Sequence, residues 1–67
     1  MYRISTNPAG AKRWWRPDET IPEGHTYLRE ATAEEDALID EILDGDAAFD
    51  QARMEAAAAK LRPLLEG

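Results

Sequence analysis

The chain has 67 residues, with 14 acids against 8 lysines and arginines, a formal net charge of −6 and no cysteine. That length leads us to expect one small domain spanning residues 1–67, and the missing cysteine excludes disulfide staples, thiolate zinc sites and thiol nucleophiles. No run approaches the roughly 18–20 consecutive apolar residues of a membrane helix, and Met1–Pro8 lacks the apolar core of a signal peptide, so the expectation is a cytoplasmic protein without a membrane partner.

Composition changes near residue 31: every Tyr and Trp lies before it, and mostly Ala, Glu, Asp and Leu follow. The expected organisation is therefore a β or irregular part over 1–31 and a helical part over 32–67. Tyr2–Ser5 alternates aromatic, basic, apolar and polar, as a short strand does. Asn7-Pro8-Ala9-Gly10 is turn chemistry, with proline presetting φ and glycine free to take positive φ. Ala11–Arg16 reads as a second strand pairing with the first as a hairpin. Pro17–Gly24, with two prolines, a glycine and three acids, reads as an exposed loop. His25–Glu30 reads as a third strand, with Leu28 turned inward.

Helical signals follow. Thr32-Ala33-Glu34-Glu35 fits a capping box, in which the threonine hydroxyl and the glutamate side chain satisfy each other's backbone amides. Leu38, Ile39, Ile42 and Leu43 make an apolar stripe over Ala33–Asp44. Gly45 stands where a left-handed C-terminal cap is expected, and Asp46 where the next helix would find its N-cap. Ala47–Arg62 is alanine-rich and strongly helix-forming. Lys60 and Arg62 suit its last turn, and Pro63 is expected to end or kink it. The fold class is thus α+β: a short N-terminal antiparallel hairpin or three-stranded sheet, followed by a two-helix αα-hairpin. The expected core is Ile4, one of Trp14 and Trp15, Leu28, Leu38, Ile39, Ile42, Phe49, Met54, Ala57, Leu61 and Leu64.

Charge is unevenly spread. Residues 1–29 hold five cations (Arg3, Lys12, Arg13, Arg16, Arg29) against three acids, whereas residues 30–67 hold three cations against eleven acids. A solvated face that keeps a small protein soluble accounts for this, and so does a footprint for a basic partner. Asp36, Asp40 and Asp44 recur every four residues and stack three like charges on one helical face, at roughly 0.2–0.5 kcal/mol per pair. Pairing with Arg3, Arg13, Arg16 or Arg29 of the same chain would offset this. The other reading is a surface that imitates nucleic-acid phosphates.

Arg13-Trp14-Trp15-Arg16 is the most unusual stretch. Neighbouring residues of a strand point to opposite faces, so one tryptophan can enter the core while the other is available to a partner. Trp, Tyr and Arg are the types most enriched at binding hot spots, which adds Tyr2 and Tyr27 to the candidate contacts. Basic residues beside aromatics also suit single-stranded nucleic acid, but the acidic second half opposes phosphate. A DNA-reading second helix would present Asp50, Glu55 and mostly alanine. Asp40–Gln51 fails as a calcium loop, because Ile42 and Gln51 stand where oxygen ligands belong. His25 is the only histidine and has no nucleophile near it in sequence. No catalytic residues, metal or cofactor are expected.

These features lead us to expect a non-enzymatic protein-binding module, a stoichiometric inhibitor or adaptor of a larger machine. Its candidate contacts are Tyr2, Arg13, Trp14, Trp15, Arg16, Tyr27, Asp36, Asp40 and Asp44, and its partner is another protein, including a basic nucleic-acid-binding one. Small phage-encoded inhibitors of host machinery share this size and acidity, although no motif specifies that class. The alternatives are an acidic nucleic-acid (DNA) mimic that blocks a basic groove, and an assembly protein that forms a homodimer or larger oligomer through its alanine-rich helix.

Overall fold

The computed structural model describes residues 1–66. It shows an α+β fold, with three strands followed by two helices: β1 (Arg3–Thr6), β2 (Lys12–Trp15), β3 (Thr26–Glu30), α1 (Ala33–Ala47) and α2 (Gln51–Glu66). The chain divides into two compact units, residues 1–32 and the helical residues from Ala33 onward.

In the first unit the sheet is antiparallel, in the order β2-β1-β3. The turn between β1 and β2 follows from its residues. The amide of Gly10 donates to the Asn7 carbonyl at 2.9 Å and the amide of Asn7 to the Ala11 carbonyl at 2.9 Å, with Gly10 at φ 88°. This is a three-residue hairpin loop closed by a glycine in the left-handed region. The Asn7 side chain locks it, its Oδ1 accepting from the amides of Ala9 and Ala11 at 3.0 and 2.9 Å. Ile4 and Ser5, adjacent on the central strand, are both buried.

All five residues of β3 are exposed. Leu28, expected in the core, is 44% exposed. Its strand lies on a sheet edge, and the register slips between Ile4↔Arg29 and Ser5↔Tyr27. Leu28 is thus the extra residue of a β-bulge, which breaks the alternation that would have turned it inward.

In the second unit α1 begins directly after Thr32, as the capping signal implied. Its end differs from expectation. Gly45 does not cap the helix: α1 continues to Ala47, and Gly45 lies buried within it. The reversal comes at Phe49, with φ 56°. The Phe49 amide donates to the Asp46 carbonyl at 3.1 Å and the Asp50 amide to the Gly45 carbonyl at 2.8 Å, the paired bonds of a Schellman motif.

Asp50, not Asp46, then caps α2, accepting from the Arg53 amide at 3.1 Å. Glycine is needed at position 45 for a different reason. A Cβ there would stand 2.9 Å from the Met54 side chain and 3.2 Å from its backbone nitrogen. Because Phe49 occupies the reversal, it is 95% exposed and contributes nothing to the expected core.

The rest of the expected helical core holds: Ile39, Ala57 and Leu61 are buried, and Leu38, Ile42, Met54 and Leu64 half-buried. α2 passes through Pro63 to Glu66, so Pro63 does not end it, and Lys60 and Arg62 lie ahead of its last turn. Continuing the helix forgoes the one amide bond that a proline cannot donate. Neither α1 nor α2 is long and apolar enough to cross a membrane.

Candidate functional site: the sheet surface and the acidic helix

The strand register sorts the aromatic and basic candidates onto two faces. Residues directly opposite each other in an antiparallel pair share a face. Ile4 stands opposite Trp14, and the Trp14 ring meets Tyr2 edge-on with centroids 5.8 Å apart. Trp14 and Tyr2, both half-buried, therefore belong together on one face.

The other face carries Arg3, Ser5, Arg13, Trp15 and Tyr27, since Arg3 pairs with Trp15 and Ser5 with both Arg13 and Tyr27. Trp15 is fastened there. Its Nε1 donates to the buried Ser5 hydroxyl at 2.7 Å, and its ring meets His25 edge-on at 5.4 Å. Neither tryptophan is fully buried, so the expected division into one core ring and one free ring is replaced by two half-buried rings on opposite faces.

Arg13 and Tyr27 flank Ser5 at the same level on the two edge strands, and both are exposed, Tyr27 by 51%. Two strand spacings put their backbones about 10 Å apart. Trp15 stands two residues along β2 from Arg13 and its indole reaches Ser5, so an arginine, an indole and a phenol share one face of the sheet.

Arg16 is exposed but engaged. Its amide donates to Glu19 Oε1 at 2.9 Å, and its carbonyl accepts from the Glu19 amide at 3.1 Å. Its guanidinium lies 3.9 Å from the same carboxylate. The Arg3 side chain reaches this turn as well, Nη2 donating to the Glu19 carbonyl. Sequence reasoning missed this fastening by Arg3, Glu19 and His25, and the only available signal was that a loop with two prolines needs side-chain anchors. Arg3 Nε and His25 Nδ1 are enclosed there without a hydrogen-bond partner among the described residues.

On α1, Asp40 and Asp44 are exposed and Asp36 is half-buried, one helical turn apart on an unbroken helix. The partner of Asp44 is Arg53 of α2, at 3.9 Å, and not an arginine from the first half of the chain. Arg53 is held chiefly by Glu41, which accepts from its Nε and, at 3.1 Å, from its Nη2. That hydrogen bonding, reinforced by the charge, holds the Glu41 carboxyl below its ordinary range and raises the Arg53 guanidinium. Residues 40–47 are helical, so no calcium loop forms there. Among the described residues no three His, Asp or Glu side chains are grouped to hold a metal ion.

Comparison of the chain with protein-family models, curated proteins and solved structures finds no match to any of them.

Proposed function

We propose that this chain is a non-enzymatic protein-binding module, a stoichiometric inhibitor or adaptor acting in the cytoplasm on a larger assembly. The observation that carries the reading is the row Arg13–Ser5–Tyr27 beside Trp15. Arginine and large aromatics concentrate at the centres of protein interfaces, where a few such side chains dominate affinity. Here two of them are exposed, and the third is positioned by a hydrogen bond that leaves its ring half-uncovered. A pre-positioned ring loses little entropy on docking. Arg16 stands exposed just past the end of β2, and Tyr2 with Trp14 supplies a second aromatic pair on the opposite face. An inhibitor of host machinery encoded by a phage is one setting that this size and acidity suit.

The test is affinity capture from a lysate of the source cells at about 0.1 M and about 0.5 M salt, since exposed charge pairs are screened at the higher value. The reading expects one stoichiometric partner retained at both. Loss of every partner at both salts would overturn it.

A second reading has its own support. Exposed Asp40 and Asp44 on an unbroken helix, with half-buried Asp36 in the same row, present a charge series that a basic nucleic-acid-binding groove would accept. Capture confined to low salt, and abolished by changing Asp36, Asp40 and Asp44 to Asn, would favour this mimic over the aromatic surface.

A further inference from the structure

We infer that the turn joining α1 and α2 is a second docking point, a knob that inserts Phe49 into an apolar socket rimmed by lysine or arginine on a partner protein. Two features of Phe49, both set by its place at the reversal, run against stability. The residue is 95% exposed, the most exposed of the large apolar residues described. Its backbone occupies the left-handed region, at φ 56°, which is unfavourable for a bulky L-residue and ordinarily filled by glycine or asparagine at this place in a Schellman motif. A single exposed apolar side chain needs no explanation. One that also sits where glycine would be better for the fold points to a use outside the fold.

The surroundings define the occupant. Residues 46–52 are all exposed, so Phe49 is flanked in the chain by the small apolar side chains of Ala47, Ala48 and Ala52. Beneath it the turn is rigid: Gly45 is packed on Met54, and the Gly45 carbonyl is taken by the Asp50 amide. Asp44, Asp46 and Asp50 lie within five residues of Phe49 in the chain, and all three are exposed, although Asp50 Oδ1 also accepts from the Arg53 amide. Arg53 answers Asp44 only at 3.9 Å. An apolar knob in an acidic collar calls for an apolar floor with a basic rim. The same collar on a second copy would repel this one, which argues against self-docking by this tip. The inference rests on the reading of the chain as a binding module, but on a surface separate from the sheet.

The test places the photo-crosslinker benzoylphenylalanine in the full chain, at position 49 in one variant and at position 27 in another, and maps the captured peptides by mass spectrometry. Crosslinks from position 49 should fall on a partner surface with an apolar floor and at least two basic side chains. Asp46→Lys should weaken that capture about tenfold. Capture from position 27 alone would overturn the inference while leaving the sheet surface standing, and capture from neither would overturn both. Crosslinking to a second copy, or to an acidic surface, would also overturn it. A partner-free control uses Phe49→Gly, which should raise the folded-to-unfolded ratio several-fold. A fall in that ratio would show that the ring serves the fold, and would overturn the inference.

Discussion

In the sheet unit, long side chains turn back onto the chain's own backbone and hydroxyls: Trp15 onto Ser5, Arg3 onto the Glu19 carbonyl, and Asn7 onto two amides of its turn. In the helical unit the decisive contacts are close approaches of small residues, Gly45 against Met54 and buried Ala57, with one ion-pair cluster around Arg53. The first unit spends large polar and aromatic groups on holding four- and five-residue strands in place. The second relies on helix propensity and leaves its charge on the surface. Substitutions should therefore fail differently in the two. Both tryptophans lie in the first unit, so indole fluorescence reports on the sheet while far-ultraviolet dichroism reports on the helices.

The largest effect is expected from Ile39→Ala. Ile39 is fully buried, and a cavity of that kind costs about 2–5 kcal/mol, a large part of what a chain this short can hold. The 222 nm signal should fall or lose its cooperative transition. An unchanged melt would show that the helical core lies elsewhere.

Next is Gly45→Ala, at about 1–3 kcal/mol, because the new methyl meets the Met54 backbone as well as its side chain. Gly45→Ala in a Met54→Ala background should recover only part of this, since the backbone contact persists. Full recovery would mean that the side chain alone demands the glycine.

Trp15→Phe should cost about 1–3 kcal/mol by leaving the buried Ser5 hydroxyl unpaired. Trp15→Phe with Ser5→Ala should cost less than the sum of the two single changes. Strict additivity in chemical denaturation would contradict the bond's role.

The smallest effect is the pH dependence of the Glu41–Arg53 pair. The folded Glu41 carboxyl is lowered mainly by its hydrogen bond from Arg53, so its contribution is present above the ordinary carboxylate range. It is lost as pH falls through the lowered value. Glu41→Gln should therefore slightly destabilise the helices at neutral pH and make no difference well below pH 4, near the reference value of about 4.3. Both groups are solvent-accessible, so salt should reduce the difference further.

How much of this was legible in the sequence differs between the two regions. The hairpin turn could be read directly, because Asn7, Pro8 and Gly10 are all turn residues, and the structure uses the Asn7 side chain and the positive φ of Gly10 to close it. The start of α1 after Thr32 was equally readable. Its end was not. Two glycine-dependent features, a left-handed reversal and a close backbone approach, look the same in sequence, and the only internal glycine of the helical part serves the second.

Placing the reversal at Phe49 then moved the start of α2 by four residues and took the one phenylalanine out of the core. Leu28 was misplaced because a β-bulge is invisible to a period-two pattern. The grouping of Arg13, Trp15 and Tyr27 on one face depended on register, which the turn length fixes for β1 and β2 but the bulge alters for β3. Composition marked those residues as candidates, whereas only pairing shows which of them stand together.

The central claim is that the exposed sheet surface carries recognition, and the most direct measurement is parallel capture by three full-length baits. These are the unaltered chain, an Arg13→Ala/Tyr27→Ala variant and an Asp40→Asn/Asp44→Asn variant, each verified as folded by dichroism and compared by quantitative mass spectrometry. Arg13, Tyr27, Asp40 and Asp44 are exposed, so neither variant should unfold. The expected result is at least tenfold loss of the stoichiometric partner with Arg13→Ala/Tyr27→Ala, and little change with Asp40→Asn/Asp44→Asn. Retention by the first variant and loss by the second would contradict the claim and place recognition on the acidic helix.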